Sequence, residues 1–214
     1  MSDLRAEWLR RCGVGERYWD VDRARLREPG QVVPYLDALG EKVAEGRGLL
    51  LLGPVGVGKT ATLSLIASTA MEHEIMGAWY MTATRLITHL LRGTEMRREW
   101  VYSDDGYGGR EGSEEDVDPK EWPLLLLDEF GAAYESEYAM GAFEDYLGYR
   151  YDRKRATCVA TNLTPDEIRH NSHYARMVDR WRETCTVVGI GGESMREAEQ
   201  NELAAQERAA KGGA

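Results

Sequence analysis

The stretch Leu49-Leu50-Leu51-Leu52-Gly53-Pro54-Val55-Gly56-Val57-Gly58-Lys59-Thr60 decides the fold. Four leucines in a row, without polar alternation, read as a strand buried on both faces. Gly53 to Thr60 matches the G-x-x-x-x-G-K-[ST] spacing of a phosphate-binding loop. Leu63, Ile66, Ala67, Ala70 and Met71 then recur at helical spacing. Strand, glycine loop and helix together are the context that such a loop needs. Glycines let the backbone curl so that its N–H groups face phosphate oxygens. The helix N-terminus adds a positive dipole end. The Lys59 ammonium has the length to reach β- and γ-phosphates, and the Thr60 hydroxyl is an oxygen ligand for Mg²⁺. The candidate ATP-binding residues are Gly53, Pro54, Val55, Gly56, Val57, Gly58, Lys59, Thr60 and Ala61.

Outward from the loop, strand-like and helix-like runs alternate. Strands are expected at Gly48–Leu52, Ala78–Met81, Pro123–Asp128, Ala156–Thr161 and Thr184–Ile190. Helices are expected at Asp3–Arg11, at Pro34–Ala44, after the loop, from Thr82 or Thr84 through Leu91, at Ser136–Tyr151 and at His173–Glu183. Pro29-Gly30 reads as a turn. Thr164-Pro165-Asp166-Glu167 joins an N-cap threonine, a proline at the first helical position and the glutamate of a capping box. The alternation predicts an α/β parallel sheet covered on both faces. Residues 1–45 read as a short N-terminal helical and linker segment, 46–196 as the core, and 197–214 as a polar tail.

A length of 214 residues suits one domain, and 43% hydrophobic residues suffice for a core. No run approaches the ~20 apolar residues of a membrane span, and Met1 to Arg11 lacks the apolar stretch of a signal peptide. Cys12, Cys158 and Cys185 are scattered, and the last two lie in strand-like runs. That placement favours buried thiols over a disulfide or metal site. These features point to a cytoplasmic protein with no membrane partner.

The formal net charge is −10, and much of it is local: Ser103 to Asp118 holds seven acids and a single base, Arg110. Residues 103–118 read as a mobile acidic loop. The charge balance argues against a strong nonspecific DNA binder, which needs many Lys and Arg contacts to phosphate. It leaves room for a local basic patch. The candidate DNA contacts are Arg92, Arg97 and Arg98, and the cluster Arg153, Lys154 and Arg155 with Arg150 beside it. A solvated face accounts for either cluster equally well.

A phosphate loop alone means only nucleotide binding. Leu124-Leu125-Leu126-Leu127-Asp128-Glu129 offers the rest of a hydrolytic site. The end of this buried strand lies beside the loop in such folds, so Asp128 can hold the Mg²⁺ shell. Glu129 can orient and deprotonate a water molecule. Without a phosphate loop in the chain, the same residues would read as a strand ending in two solvated acids. Asn162, after the fourth strand, is either a polar contact to γ-phosphate or water, or a turn residue before the Thr164 helix.

Several segments, in order, resemble the DnaC/IstB family of AAA+ ATPases, which are helicase loaders and transposition helper proteins. They are Gly13-Val14-Gly15-Glu16-Arg17-Tyr18, Gly48 to Thr60, Pro123 to Gly131, Tyr149-Arg150-Tyr151 with Thr157 to Thr164, Arg176 to Trp181, and Gly192-Glu193-Ser194-Met195-Arg196. Gly15 stands where the family usually has proline, and Asp128-Glu129 stands for its usual Asp-Asp. The resemblance implies a P-loop NTPase (AAA+) fold with a five-stranded parallel sheet in order 5-1-4-3-2 and helices on both faces. It also implies ATP hydrolysis with Mg²⁺, at sites shared between the subunits of a ring or spiral. Asn162 becomes the sensor 1 residue and Arg196 a sensor-2-like arginine. Arg176 becomes an arginine finger reaching the γ-phosphate of a neighbouring subunit, with Arg180 as the alternative. A guanidinium suits that role because it is always charged and forks onto phosphate oxygens.

Family loaders often carry a helicase-binding domain, and residues 1–45 are too few for one. Either the N-terminal helix docks the partner, or the partner differs. The acidic stretch lies where the family places DNA-facing elements, and its charge would repel phosphate. The favoured expectation is an ATPase that loads a replicative helicase onto single-stranded DNA during replication. A transposition helper acting with a transposase is the main alternative. A small-molecule kinase is a weaker one, since Glu129 with Asn162 suits water as the nucleophile. An adaptor that binds ATP but scarcely turns it over is the weakest, because Glu129 is intact.

Overall fold

The computed structural model describes residues 3–92, 119–132 and 136–195. Among them, β1 (Gly48–Leu52), β2 (Ala78–Thr82), β3 (Leu124–Phe130), β4 (Ala156–Thr161) and β5 (Cys185–Gly189) form a five-stranded sheet. Every pairing is parallel, and the order is β2-β3-β4-β1-β5, which is 5-1-4-3-2 read from the other edge. The apolar runs without alternation have the explanation expected of them. In β1, Leu49 and Leu51 enter one core while Leu50 enters the other.

The first core lies under α1 (Asp3–Arg11), α2 (Pro29–Asp37), α3 (Leu39–Ala44) and α4 (Lys59–Glu72). The second lies under α5 (Ala83–Arg92), α6 (Glu137–Asp152), α7 (Pro165–His170) and α8 (Ser172–Thr184). Phe130 sits in the middle of the second, edge-on to Tyr174 and Trp181 and stacked with Phe143. The predicted inward stripe of α8, Tyr174, Met177, Val178 and Trp181, is buried throughout. Thr164 and Glu167 form the capping box of α7.

The N-terminal region differs from the expectation in its boundaries. Pro29-Gly30 is not a turn but the first turn of α2, where a proline fits because its missing N–H would be unpaired anyway. The expected single helix over Pro34–Ala44 is two helices, parted at Ala38, whose backbone leaves helical geometry (φ −103, ψ 17). Helix α4 is buried on nearly all sides, because α1 lies across its outer face. Trp8 Nε1 donates to the Ala67 carbonyl (2.7 Å), and Ser64 Oγ donates to the Tyr18 carbonyl (2.6 Å). At the sheet edge, the Tyr80 N–H donates to the Cys12 carbonyl (2.7 Å).

Cys12, Cys158 and Cys185 are free, buried thiols. Burial pushes Cys12 and Cys185 up to about 12 and Cys158 up to about 11. No helix among the described residues is long and apolar enough to cross a membrane. The acidic stretch 103–118, Arg97, Arg98, Arg196 and the tail 197–214 lie outside the described residues, and Arg92 ends α5 with its side chain outside them.

One member of the basic cluster is not on the surface. Arg150 is 1% exposed. Its Nε donates to Thr157 Oγ1, its Nη1 to the carbonyls of Lys120 and Trp122, and its Nη2 to the carbonyl of Ala156. It ties α6 to the start of β4 and to the segment entering β3, so it cannot contact DNA. Its place in the apolar stripe of α6, beside Phe143, Tyr146 and Leu147, is what set it apart from Arg153 and Lys154. Removing the donors would strand buried carbonyls, at about 1–3 kcal/mol each. Arg150→Met should therefore lower stability by about 3 kcal/mol or more in urea unfolding. A loss below about 1 kcal/mol would show that these carbonyls find other partners.

Candidate functional site

The loop between β1 and α4 is held at both ends by backbone that only glycine allows. Gly58 has φ 100, in the left-handed region, and starts α4 at Lys59. A side chain at Gly53 would lie 2.1 Å from the Ile190 carbonyl oxygen. The segment after β5 presses on the loop as well: the Met195 N–H donates to the Gly56 carbonyl (2.9 Å). Thus Ser194 and Met195, from the segment noted for family likeness, lie against the loop.

Lys59 is 7% exposed. Its Nζ donates to the carbonyls of Gly53 (2.7 Å) and Pro54 (2.6 Å), in the hollow the loop encloses. Burial lowers its pKa, and the nearby Asp128 opposes that shift. Thr60 Oγ1 donates to Asp128 Oδ2 (2.7 Å), which joins the loop helix to the end of β3. Asp128 is 3% exposed. The same Oδ2 accepts from the Tyr80 hydroxyl (2.8 Å), and Oδ1 accepts from the Glu129 N–H (2.8 Å). A hydroxyl and a carboxylate side by side are the oxygen donors that Mg²⁺ prefers, so the pair fits that cation. Sequence reasoning missed Tyr80. Its reach to Asp128 depends on the pairing of β2 with β3, for which local spacing carries no signal.

β3 does not end at Asp128 as expected. It continues to Phe130 through an irregularity in its register with β4 between Leu127 and Phe130. Glu129 takes φ 55 there, a left-handed conformation unusual for a residue with a side chain. Plain alternation would send Glu129 into the second core, on the face of Leu125 and Leu127. The extra residue lets Phe130 fill that place instead and leaves Glu129 exposed.

Asn162 is exposed and follows Thr161, which pairs with Leu52 of β1 on one side and Phe130 of β3 on the other. The Gly53 N–H donates to the Thr161 carbonyl (3.3 Å), and Thr161 Oγ1 donates to the Phe130 carbonyl (2.6 Å). Asn162 therefore leaves the sheet between the phosphate loop and the acid pair. The N-cap of α7 is Thr164, so the helix start does not depend on Asn162.

Arg176 lies apart from these residues, on the outer face of α8. Its Nε and Nη2 donate to the two oxygens of Glu144 on α6 (2.7 and 2.8 Å), and His173 Nδ1 shares Glu144 Oε2 (2.9 Å). Arg180 is half-buried, over the Tyr151 ring at 6.0 Å. In the second basic cluster, Arg153 and Lys154 are exposed, whereas Arg155 pairs with Glu121 (2.9 Å).

With this geometry the class is defined: the chain has the AAA+ P-loop NTPase fold, in strand order and in the placing of its loop. No protein-family model matches the chain. It is 25% identical over 212 residues to the replicative helicase loader DnaI of Bacillus subtilis (strain 168), a match covering 91% of this chain and 63% of that protein. The chain thus spans less than two thirds of the curated relative. Similar solved structures include the DnaC helicase loader (TM-score 0.59, 19% identity, 83% of this chain and 100% of that one). Others are DnaI (TM-score 0.56, 20% identity, 87% of this chain and 91% of that one) and AMPPCP-bound DnaA from Aquifex aeolicus (TM-score 0.53, 20% identity, 96% of this chain and 57% of that one). The chain is thus similar in sequence to a replicative helicase loader and similar in fold to the solved DnaC, DnaI and DnaA structures.

The Arg176 bonds, aided by His173, hold the Glu144 carboxyl down at about 2, against 4.5 ordinarily. A carboxyl that titrates lower when folded adds stability that is complete above its unfolded value and lost as pH falls through the folded one. Glu144→Gln should therefore destabilise the protein more at neutral pH than near pH 3, read by urea unfolding at both. An equal loss at the two pH values would show that ionisation of Glu144 adds nothing.

Proposed function

We propose that the chain binds ATP with Mg²⁺, hydrolyses it, and acts in DNA replication as a loader of a replicative helicase. The observation that carries this reading is the 2.7 Å hydrogen bond from Thr60 to Asp128. It puts the end of a phosphate loop and the acid of β3 on one spot, as a nucleotide-bound cation requires. The sequence likeness to a helicase loader supports the role in replication over a transposition role.

In this proposal residues 46–196 are the ATPase core, with 1–45 packed on it and 197–214 as a tail. Backbone N–H groups from Gly53 to Ala61 cradle the phosphates, and Lys59 turns from the loop carbonyls to the β- and γ-oxygens. Thr60 and Asp128 hold Mg²⁺, which neutralises developing charge on the phosphates. Glu129, turned outward by the bulge, orients the attacking water and takes its proton. Asn162 bonds the γ-phosphate or that water. Arg176 faces outward, which suits a finger offered to the ATP of a neighbouring subunit in a ring or spiral, with Arg196 as a further phosphate contact. Single-stranded DNA is met by exposed bases such as Arg153 and Lys154, with Arg92, Arg97 and Arg98 as further candidates. A loader of this kind works in the cytoplasm.

Lys59→Ala should abolish ATP binding in equilibrium titration. Glu129→Gln should keep binding but lower turnover by about 100-fold or more; normal phosphate release would remove Glu129 from the mechanism. Arg176→Ala should lower turnover by about 1,000-fold and be rescued in mixed assemblies with Lys59→Ala subunits, which supply the arginine but cannot bind ATP. Absence of rescue, with an isolated subunit hydrolysing ATP at the full rate, would rule out the shared site. Capture from host lysate with Glu129→Gln and ATP tests the partner: a replicative helicase supports the loader, and a transposase overturns it.

A further inference from the structure

We propose that Tyr80 is a positioning residue of the cation site. Its phenol fixes the Asp128 carboxylate so that Asp128 and Thr60 present their oxygens to Mg²⁺ in one orientation. This rests on the reading of Thr60 and Asp128 as the cation-holding pair.

Tyr80 reaches Asp128 because of the sheet. In β2 and β3, Tyr80 pairs with Leu126 and Thr82 with Asp128. Alternation puts Tyr80, Leu126 and Asp128 on the same face, with Asp128 the diagonal neighbour that a long side chain can span. The Tyr80 backbone is fixed as well, through its β3 pairing and its N–H bond to the Cys12 carbonyl. At the end of this braced side chain, the hydroxyl donates 2.8 Å to Asp128 Oδ2. That oxygen is also the one that accepts from Thr60, while Oδ1 is taken by the Glu129 N–H.

Three donors from three elements thus fix the carboxyl plane. The Thr60 proton is committed to Oδ2, which turns the hydroxyl's remaining lone pairs away from Asp128. Core packing alone does not call for the hydroxyl. The ring lies against the apolar cluster under α4, where phenylalanine would serve equally.

Tyr80→Phe keeps the ring and deletes only the donor. The probe is a fluorescent N-methylanthraniloyl ATP, titrated with Mg²⁺ and, separately, in EDTA. Affinity in EDTA should match that of the unaltered protein, while the Mg²⁺ midpoint should rise about tenfold, the factor equivalent to 1.4 kcal/mol. In an Asp128→Ala background, where the phenol has no side-chain acceptor, the same change should shift the midpoint much less. An unchanged midpoint in Tyr80→Phe overturns the proposal, as does an equal loss of affinity in EDTA and Mg²⁺, which would mark general damage to the loop. If the unaltered protein shows no Mg²⁺-dependent binding, both this proposal and the cation-site reading fall. If it does and Tyr80→Phe does not shift it, only the role of Tyr80 falls.

Discussion

A carboxyl group that is 3% exposed needs hydrogen-bond partners, and the way Asp128 obtains them sets the architecture around it. Stripping water from a carboxylate costs several kcal/mol unless donors replace it. Here the donors come from the head of α4, from β2 and from the strand's own next residue. None of these is adjacent to Asp128 in sequence apart from Glu129. The strand pairing must therefore be right before the carboxyl is satisfied, and satisfying it draws the phosphate loop onto the end of β3. The same contacts that stabilise the fold place an acid where a nucleotide-bound cation would be.

The N-terminal residues take part in this rather than merely preceding it. Leu9, Cys12, Val14, Val21 and Leu36 share a core with Leu49, Leu51 and Leu63. Trp8 and Tyr18 meet α4 from outside, and the Cys12 carbonyl holds the edge of β2. The helix that begins with Lys59 and Thr60 is thus clasped between the sheet and the start of the chain. Little freedom is left to it, which is what a loop that must present N–H groups in fixed directions requires.

Much of this was legible from residue pattern alone. The leucine runs of β1 and β3 are apolar on both faces because both faces are covered, and Gly53 to Thr60 announces its loop by spacing. What stayed hidden are contacts between segments far apart in sequence. Arg150 looked like a neighbour of Arg153 and Lys154, but helical phase turns it inward to carbonyls some 30 residues away. Tyr80 looked like an ordinary aromatic in a short strand until β2 was set beside β3. The break at Ala38 was hidden by an apolar pattern that runs smoothly across it. Local spacing predicts which face a residue takes, but not which partner waits there.

The register irregularity in β3 gives the site an unusual kind of sensitivity. Glu129 stands outside, and Phe130 fills the core, only because the strand carries one residue more than its partner requires. The acid's outward direction is therefore a property of chain length rather than of side-chain identity. Only Asp128 and Glu129 lie between Leu127 and Phe130, so a one-residue deletion there would restore smooth alternation and remove one of the two acids. Such a change would harm the molecule more than most substitutions at the same positions. Within this strand, the number of residues sets the direction of the acid as surely as their identity sets its chemistry.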